Sequence, residues 1–466
     1  MNKSSWLQRW TRWLGIALLL TPTLCARAAG DALVWDKQTK RVDAEINAWD
    51  LPRVLSSLAK AAGWQVLVEP GTQQTTTVRF KNLTVGEALK RLLGELNYAL
   101  LPQTNGPAKL FVFRTTLQEA TQLIGDDAGL DRPAGKGAIP NELIVTLRPK
   151  SKQSIEALAR ALGAKVIGKV DGLNTYRLQF QNETAAQAAR DALADDQDVA
   201  ATDSNYPVDR PTRMDNVELS SAAPFALKPK LGNAGGQVVV ALIDTPVQPL
   251  GAGMSEFMLP PVHVAGEPAG ASEELTHGTS MAETILRGLT YAPQENGGSS
   301  VRVLPIDVYG NNADTTTFDV AKGIYAALAA GATIVNLSLG GDGDSQFLSG
   351  LIREAHRQGV LFFGAAGNQP TTYPTFPAAY PEVVAVTAGD RRGNIAPYAN
   401  RGSFVDVIAP GVSLVEYQGS SYLVRGTSAA TAYVSGTAAG IRAGGSAPAD
   451  VETYIRQNLA IRPAGP

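Results

Sequence analysis

The sequence predicts an α/β protein: a parallel sheet with helices on both faces, preceded by two small α/β modules. Three observations carry this. Over residues 235–462, apolar runs of strand length alternate with amphipathic helix patterns, the mark of a parallel sheet with crossover helices. The run Gln237–Ile243 is apolar throughout, as a strand buried on both faces must be, and it ends in Asp244. Upstream, residues 31–115 and 140–210 each show a shorter strand–helix alternation.

Residues 1–29 read as an export signal. Lys3, Arg9 and Arg12 give a positive start, Trp13–Leu20 a short apolar core, and Ala26-Arg27-Ala28 a small-x-small cleavage site. The apolar run is short for a bilayer, so no membrane span is expected in the mature chain; a retained N-terminal anchor is the alternative. The single cysteine, Cys25, lies in this segment behind Thr23-Leu24, without the small residue expected before a lipidated cysteine. A mature chain without disulfides is compatible with the periplasm or the extracellular space. A net charge of −2 over 466 residues leaves no electrostatic footprint for nucleic acid.

In residues 31–115, Arg41–Asn47 alternates as a strand. Leu51–Ala62 carries a helix face of Leu51, Val54, Leu55, Leu58 and Ala62. Strands follow at Trp64–Val68 and Thr76–Phe80, a helix at Val85–Leu96, and a strand at Leu110–Phe113. Residues 116–139 form a linker containing Gly, Asp and Pro. The next unit has strands at Glu142–Leu147, Lys165–Val170, Thr175–Phe180 and Asp198–Asp203, with helices at Ser154–Leu162 and Thr184–Leu193. In the large unit, strands are expected at Val238–Ile243, Val301–Ile306, Thr333–Ser338, Val360–Ala365, Val383–Thr387 and Val405–Ile408. Helices are expected at Met281–Leu289, Thr317–Ala330, Ser349–Gln358 and from Ser428 to about Arg442.

The candidate chemistry is confined to the large unit. In Arg425-Gly426-Thr427-Ser428, a small-residue turn delivers Ser428 to the first turn of a helix, where unpaired N–H groups and the helix dipole favour a developing oxyanion. By itself a serine there serves equally as a cap. A nucleophilic serine needs a base, and the base an orienter. Of three histidines, His356 reads as a helix-surface residue and His263 as a loop residue. His277 stands just before a helix, followed by Gly278, which lets another backbone come close. Asp244, at the carboxyl tip of a buried strand, is the orienter candidate or a strand-end turn former. Asn368 ends the strand Leu361–Ala365 and its small-residue extension; it either turns the chain or offers a neutral N–H donor to an oxyanion.

The order Asp244, His277, Asn368, Ser428 resembles that of the subtilisin-like serine peptidases, with family-like spacing. Asp244-Thr245, His277-Gly278-Thr279, Asn336-Leu337-Ser338-Leu339-Gly340-Gly341, Gly367-Asn368 and Gly426-Thr427-Ser428 match five of its motifs in the correct order. The resemblance implies a subtilisin-like fold and a serine endopeptidase acting through an acyl-enzyme intermediate. Ser428 would be the nucleophile, His277 the base and Asp244 its orienter, with Asn368 on the oxyanion. Ser338, Leu339 and Gly340 would pair with extended substrate, and Gly364, Ala365 and Ala366 would line the first specificity pocket, whose small apolar walls suit an uncharged side chain. Protein or peptide substrates follow.

Residues 140–210 resemble the inhibitory propeptide of this family, so self-processing is expected, between about residues 206 and 235, with the tail Asn205–Met214 lying in the cleft. Residues 31–115 resemble the short N-terminal domain of secretins and TonB-dependent transducers through Asn47-Ala48-Trp49-Asp50-Leu51 and Leu83-Thr84-Val85-Gly86-Glu87-Ala88-Leu89. That implies a periplasmic protein partner and a Gram-negative-type envelope, against a plain extra domain.

Calcium is the one cofactor the family resemblance leaves open. Asn311-Asn312-Ala313-Asp314 and Asp342-Gly343-Asp344 offer oxygen ligands, though each also reads as a solvated turn. Three residues depart from the family pattern. Pro246 replaces a glycine and must redirect the loop beyond Asp244; Ala432-Tyr433 replaces Pro-His; Glu283 replaces a glycine, facing either solvent or the cleft. The alternative function is a catalytically weak binding or signalling protein on a protease scaffold. A serine esterase with a Gly-x-Ser-x-Gly elbow would have serine before aspartate and histidine, which is not the order here.

Overall fold

The computed structural model describes residues 32–459 apart from 37–38, 70–71, 73, 103–106, 118–119, 121, 125–135, 212–213, 220–226, 231–236, 252, 267–273, 292–297 and 391. The signal-like segment and most of the linker lie outside the described residues.

Residues 32–124 fold around a core of their own, built from Val42, Ile46, Leu55, Leu58, Leu89, Leu92 and Val112. Helix Leu51–Ala62 starts where Asp50 accepts the Arg53 N–H, and it ends at left-handed Gly63. Helix Val85–Leu93 starts with a Thr84–Glu87 capping box and stops at Gly94, three residues short of the expected end. The structure adds strands Ala32–Asp36, Asn97–Leu101 and Gln122–Ile124. Asn-Tyr-Ala-Leu-Leu has no clean alternation, so only its antiparallel pairing with Lys109–Phe113 makes it a strand.

The middle unit is a four-stranded antiparallel sheet in the order Val199–Ser204, Glu142–Leu147, Thr175–Gln179, Lys165–Val170. Helices Ile155–Ala161 and Glu183–Leu193, capped by Ser154 and Asn182, bury Leu158, Ala186, Ala189 and Leu193 in its core.

The large unit is a seven-stranded parallel sheet in the order Val262–His263, Arg302–Asp307, Val239–Asp244, Ile334–Leu337, Leu361–Ala365, Val383–Gly389, Val407–Pro410. His263 is thus on a short edge strand and not in a loop, because its neighbour Val262 pairs with Ile306. Every residue of Val239–Asp244 is buried, as its unbroken apolar run demands. Alternate side chains feed two cores. Val240 and Leu242 join helices His277–Leu289 and Thr427–Ala443; Val239, Ala241 and Ile243 join Thr317–Ala329 and Gln346–Arg357. The last of these helices begins three residues earlier than its apolar pattern, because Ser345 caps it through the Leu348 N–H.

Helices His277–Leu289 and Thr427–Ala443 cross at glycines. A Cβ on Gly436 would sit 2.0 Å from the Ile285 carbonyl oxygen, and one on Gly288 would sit 2.6 Å from that of Tyr433. This backbone-to-backbone approach fixes how the His277 helix lies on the Ser428 helix.

The middle unit is fastened to the large one at two helix N-termini. Asp203 accepts from the Phe347 N–H (2.9 Å) and the Ser345 hydroxyl (2.7 Å). Fully buried Asn205 accepts from the Phe318 N–H (3.1 Å) and the Thr317 hydroxyl (3.1 Å), and donates to Glu142 (2.8 Å). Arg177 grips Glu142 with two nitrogens and reaches Asp319 across the junction (3.1 Å). Burial pushes the Asp319 carboxyl up, opposed by Arg177.

Candidate active site

Parallel register brings the candidate residues to one edge of the sheet. Ile243 pairs with Leu337 and Leu337 with Gly364, so Asp244, Ser338 and Ala365 follow at the carboxyl ends of three adjacent strands. This is the edge where open α/β sheets carry their sites.

Asp244 is fully buried, and its Oδ1 accepts the Thr245 N–H at 2.6 Å. Both its oxygens face His277 Nδ1, at 2.8 and 2.9 Å. A carboxylate only accepts, so Nδ1 carries the proton and Nε2 is left as the basic nitrogen. His277 is the first residue of its helix, capped by Thr276, so the helix begins four residues before its apolar pattern. Gly278 explains itself: a Cβ there would lie 2.1 Å from the Thr245 carbonyl oxygen, while its N–H donates to Thr245 Oγ1 (2.8 Å). That close approach locks His277 against Asp244.

Ser428 is nine-tenths buried at the second position of its helix. Its Oγ donates to the Ser338 carbonyl (3.2 Å), and the Ser338 hydroxyl donates to the Ser428 carbonyl (3.2 Å). Among the described residues no Ser428–His277 hydrogen bond is formed; such bonds are often slack before substrate binds. Gly426, at φ +142°, makes the turn into this helix.

Asn368 is held in one orientation. Its Oδ1 accepts the Thr427 N–H (2.9 Å) and the Thr427 hydroxyl (3.1 Å), which turns Nδ2 away as a donor. The sequence reading passed over Thr427 because it looks like a spacer inside Gly-Thr-Ser; its hydroxyl also accepts the Gly367 N–H.

A cleft of about 420 Å³ is lined by Ser338, Leu339, Gly340, Ala365, Asn368 and Ser428, among others. Of the remaining expected substrate residues, Gly364 lies beneath, where a Cβ would meet Ala378 at 2.8 Å, and Ala366 is fully buried. Pro207, Asp209, Arg210 and Pro211 also border the cleft. Strand Pro207–Asp209 runs antiparallel to Asp314–Thr316, and Met214–Leu219 to Ser420–Arg425.

The chain is similar to known proteins over both of these units. The subtilase family model matches residues 235–460, and that of the fervidolysin N-terminal prodomain matches residues 126–205. Subtilisin Savinase of Lederbergia lenta is 32% identical over 215 residues, 45% of this chain and 77% of that protein. This chain belongs to the subtilase family.

The subtilase is also 30% identical to thermitase of Thermoactinomyces vulgaris over 236 residues, 50% of the chain and 84% of that protein. It spans 46% of the length of a thermophilic serine proteinase of Bacillus sp. (strain AK1), at 33% identity over 39% of the chain. Its fold is that of the epidermin leader peptide processing serine protease of Staphylococcus aureus, with a TM-score of 0.50, 17% identity, and coverage of 68% of this chain and 92% of that one.

The three departures find structural explanations in this subtilase. Beyond Pro246, the loop is stapled to the His277 helix: the Pro246 carbonyl accepts the Thr276 hydroxyl (2.7 Å), and Gln248 accepts the Thr276 N–H (2.8 Å). Tyr433 packs edge-on against Tyr291 (4.9 Å). Glu283 faces neither solvent nor cleft. It is buried, accepts from Arg287 (2.6 and 2.9 Å) and from the Glu416 N–H, and so ties its helix to strand Val412–Tyr417. Burial holds the Glu283 carboxyl above its usual range, against the pull of the Glu416 N–H and Arg287.

His263 bonds Asp307 (3.1 Å), and His356 bonds Glu452 (3.0 Å). Of the calcium candidates, Asp314 is engaged by Lys136 (2.9 Å), and among the described residues no three His, Cys, Asp or Glu side chains cluster as metal ligands. No helix among them is long and apolar enough to cross a membrane.

Proposed function

We propose that this subtilase cleaves peptide bonds within proteins through Ser428, His277 and Asp244, and that residues 140–210 are its inhibitory propeptide. The observation that carries the reading is the fully buried Asp244 carboxylate gripping His277 Nδ1 with both oxygens, next in register to the strand end that holds Ser428.

Ser428 Oγ attacks the scissile carbonyl carbon while His277 Nε2 takes its proton. Asp244 stabilises the imidazolium and remains ionised. The tetrahedral oxyanion is met by Asn368 Nδ2, whose orientation Thr427 fixes, and by the N–H of Ser428 at the helix start. His277 then protonates the leaving amine. The acyl-enzyme is hydrolysed by water through the same steps in reverse order of proton transfer. The substrate enters as a strand along Ser338–Gly340, a reading supported by the chain's own Pro207–Asp209 lying antiparallel to Asp314–Thr316 at this cleft.

Self-processing falls between about residues 206 and 235 in this reading. Export to the periplasm or the extracellular space belongs to it too, supported by the charge and hydropathy pattern of residues 1–29.

Mass spectrometry of purified residues 29–466, wild type beside Ser428→Ala, tests the core of it. Breakage of the wild type alone within 206–235 is the expected result. If both chains stay whole, self-processing is wrong; if both break alike, Ser428 is not the agent. Hydrolysis of added casein by wild type but not by Ser428→Ala tests the triad independently of processing.

A further inference from the structure

The tail in the cleft presents one side chain to a site built for it. Val208 is buried among the core residues beneath the cleft. Two residues on, the Arg210 guanidinium donates to the carbonyls of Asn312 (2.6 Å) and Gly310 (3.2 Å) and lies over the Tyr309 ring, 5.6 Å from its centre. Tyr309 is fully buried, and its hydroxyl donates to the Asp209 carbonyl (2.9 Å).

The turn that makes this seat belongs wholly to the large unit. Buried Asp307 accepts the N–H groups of Tyr309 (3.0 Å) and Gly310 (2.8 Å), and the Asn312 N–H closes on the Tyr309 carbonyl (2.9 Å). Gly310, at φ +53°, permits the reversal. With these N–H groups consumed inside the turn, what it turns toward position 210 is the carbonyl oxygens of Gly310 and Asn312 and the face of Tyr309. Carbonyl oxygens and an aromatic face attract a cation and repel a carboxylate. Asp307 is the register partner of Asp244, so the seat adjoins the catalytic centre.

We propose that the turn Asp307–Asn312 is a specificity subsite for arginine, with lysine second, in protein substrates, two residues beyond an aliphatic residue filling the place of Val208. The inference rests on the peptidase reading above and adds a substrate class to it: basic, strand-forming segments with an aliphatic residue ahead of the basic one.

The test is internal competition. Four peptides spanning residues 204–235, with Arg, Lys, Gln or Glu at position 210, are mixed in one tube with the full chain, and their depletion is followed by mass spectrometry. Ratios of kcat/KM obtained this way do not depend on how much enzyme is active. The Arg peptide should be depleted about 10- to 100-fold faster than the Gln peptide, with Lys between them and Glu slowest. In Tyr309→Leu the Arg-to-Gln ratio should collapse to about 3 or less; Tyr309→Phe keeps the ring and should keep the preference.

Equal depletion of all four peptides by an active wild type overturns the subsite and leaves the peptidase reading standing. An Arg preference undiminished in Tyr309→Leu overturns its assignment to this turn; if that variant does not fold, the wild-type ratios alone decide. A wild type that cuts neither these peptides nor casein overturns the peptidase reading, and the subsite with it.

Discussion

At the scale of single residues, the site depends on contacts that tolerate little change. Asn368 is aimed by Thr427, so Asn368→Ala removes a donor without disturbing the charge of the site; kcat should fall about 10²- to 10³-fold with KM little changed, as steady-state kinetics on casein-derived peptides would show. Gly278 has no room for a methyl group, with the Thr245 carbonyl 2.1 Å from where it would stand. Gly278→Ala should therefore cost about 1–3 kcal/mol of stability, read by denaturant unfolding in a Ser428→Ala background that prevents self-digestion. The same substitution pushes His277 off Asp244, so activity should fall further than stability explains.

Elements hold those residues in place. The His277 and Ser428 helices touch backbone to backbone at Gly436, where a Cβ would lie 2.0 Å from the Ile285 carbonyl oxygen. Gly436→Ala should force the helices apart, lowering stability by about 1–3 kcal/mol and moving His277 away from Ser428, while a neighbouring exposed change does neither.

Glu283 fastens the first of these helices to strand Val412–Tyr417. Its carboxyl, raised by burial, binds a proton more tightly in the folded state than in the unfolded chain. That contribution is complete below the usual value of 4.5 and is lost as pH rises through the raised one. The thermal midpoint of the wild type minus that of Glu283→Gln should therefore decrease as pH rises from 4.5; a flat difference would refute this account.

Across the whole molecule, the middle unit and the large unit meet through buried polar groups beside an apolar contact of Ile144 and Val170 with Phe318. Asn205 bridges Glu142, Thr317 and the Phe318 N–H at the start of a helix. Asn205→Ala strands these partners, at a cost of about 1–3 kcal/mol, so docking of the propeptide-like unit should weaken about 5- to 150-fold. The measurement is the lag before casein hydrolysis begins, which should shorten; an unchanged lag would mean that the apolar contacts alone hold the unit. In the proposed reading the tail then leaves the cleft with Arg210, so the seat proposed to select substrate would also retain the propeptide-like unit.

What the sequence determined by itself was the order of elements and the residue types of the site. An unbroken apolar run such as Val239–Ile243 has one stable place, between two helical layers, and Asp244 must then stand at the strand's end. Caps at Thr276 and Ser345 and the turn at Gly426 are equally local signals, although apolar periodicity placed two of those helix starts three or four residues late. Tertiary structure decided which groups meet. Strands Pro207–Asp209 and Asp314–Thr316 exist because they pair with each other, and their short polar sequences have no period to betray them. Glu283 found Arg287 one helical turn away and Glu416 far along the chain, and only the fold could choose that over solvent or cleft. Arg210 found its carbonyls about a hundred residues distant. Periodicity is a property of neighbours in the chain, whereas a hydrogen bond between distant segments depends on register and on which backbones glycine allows to touch.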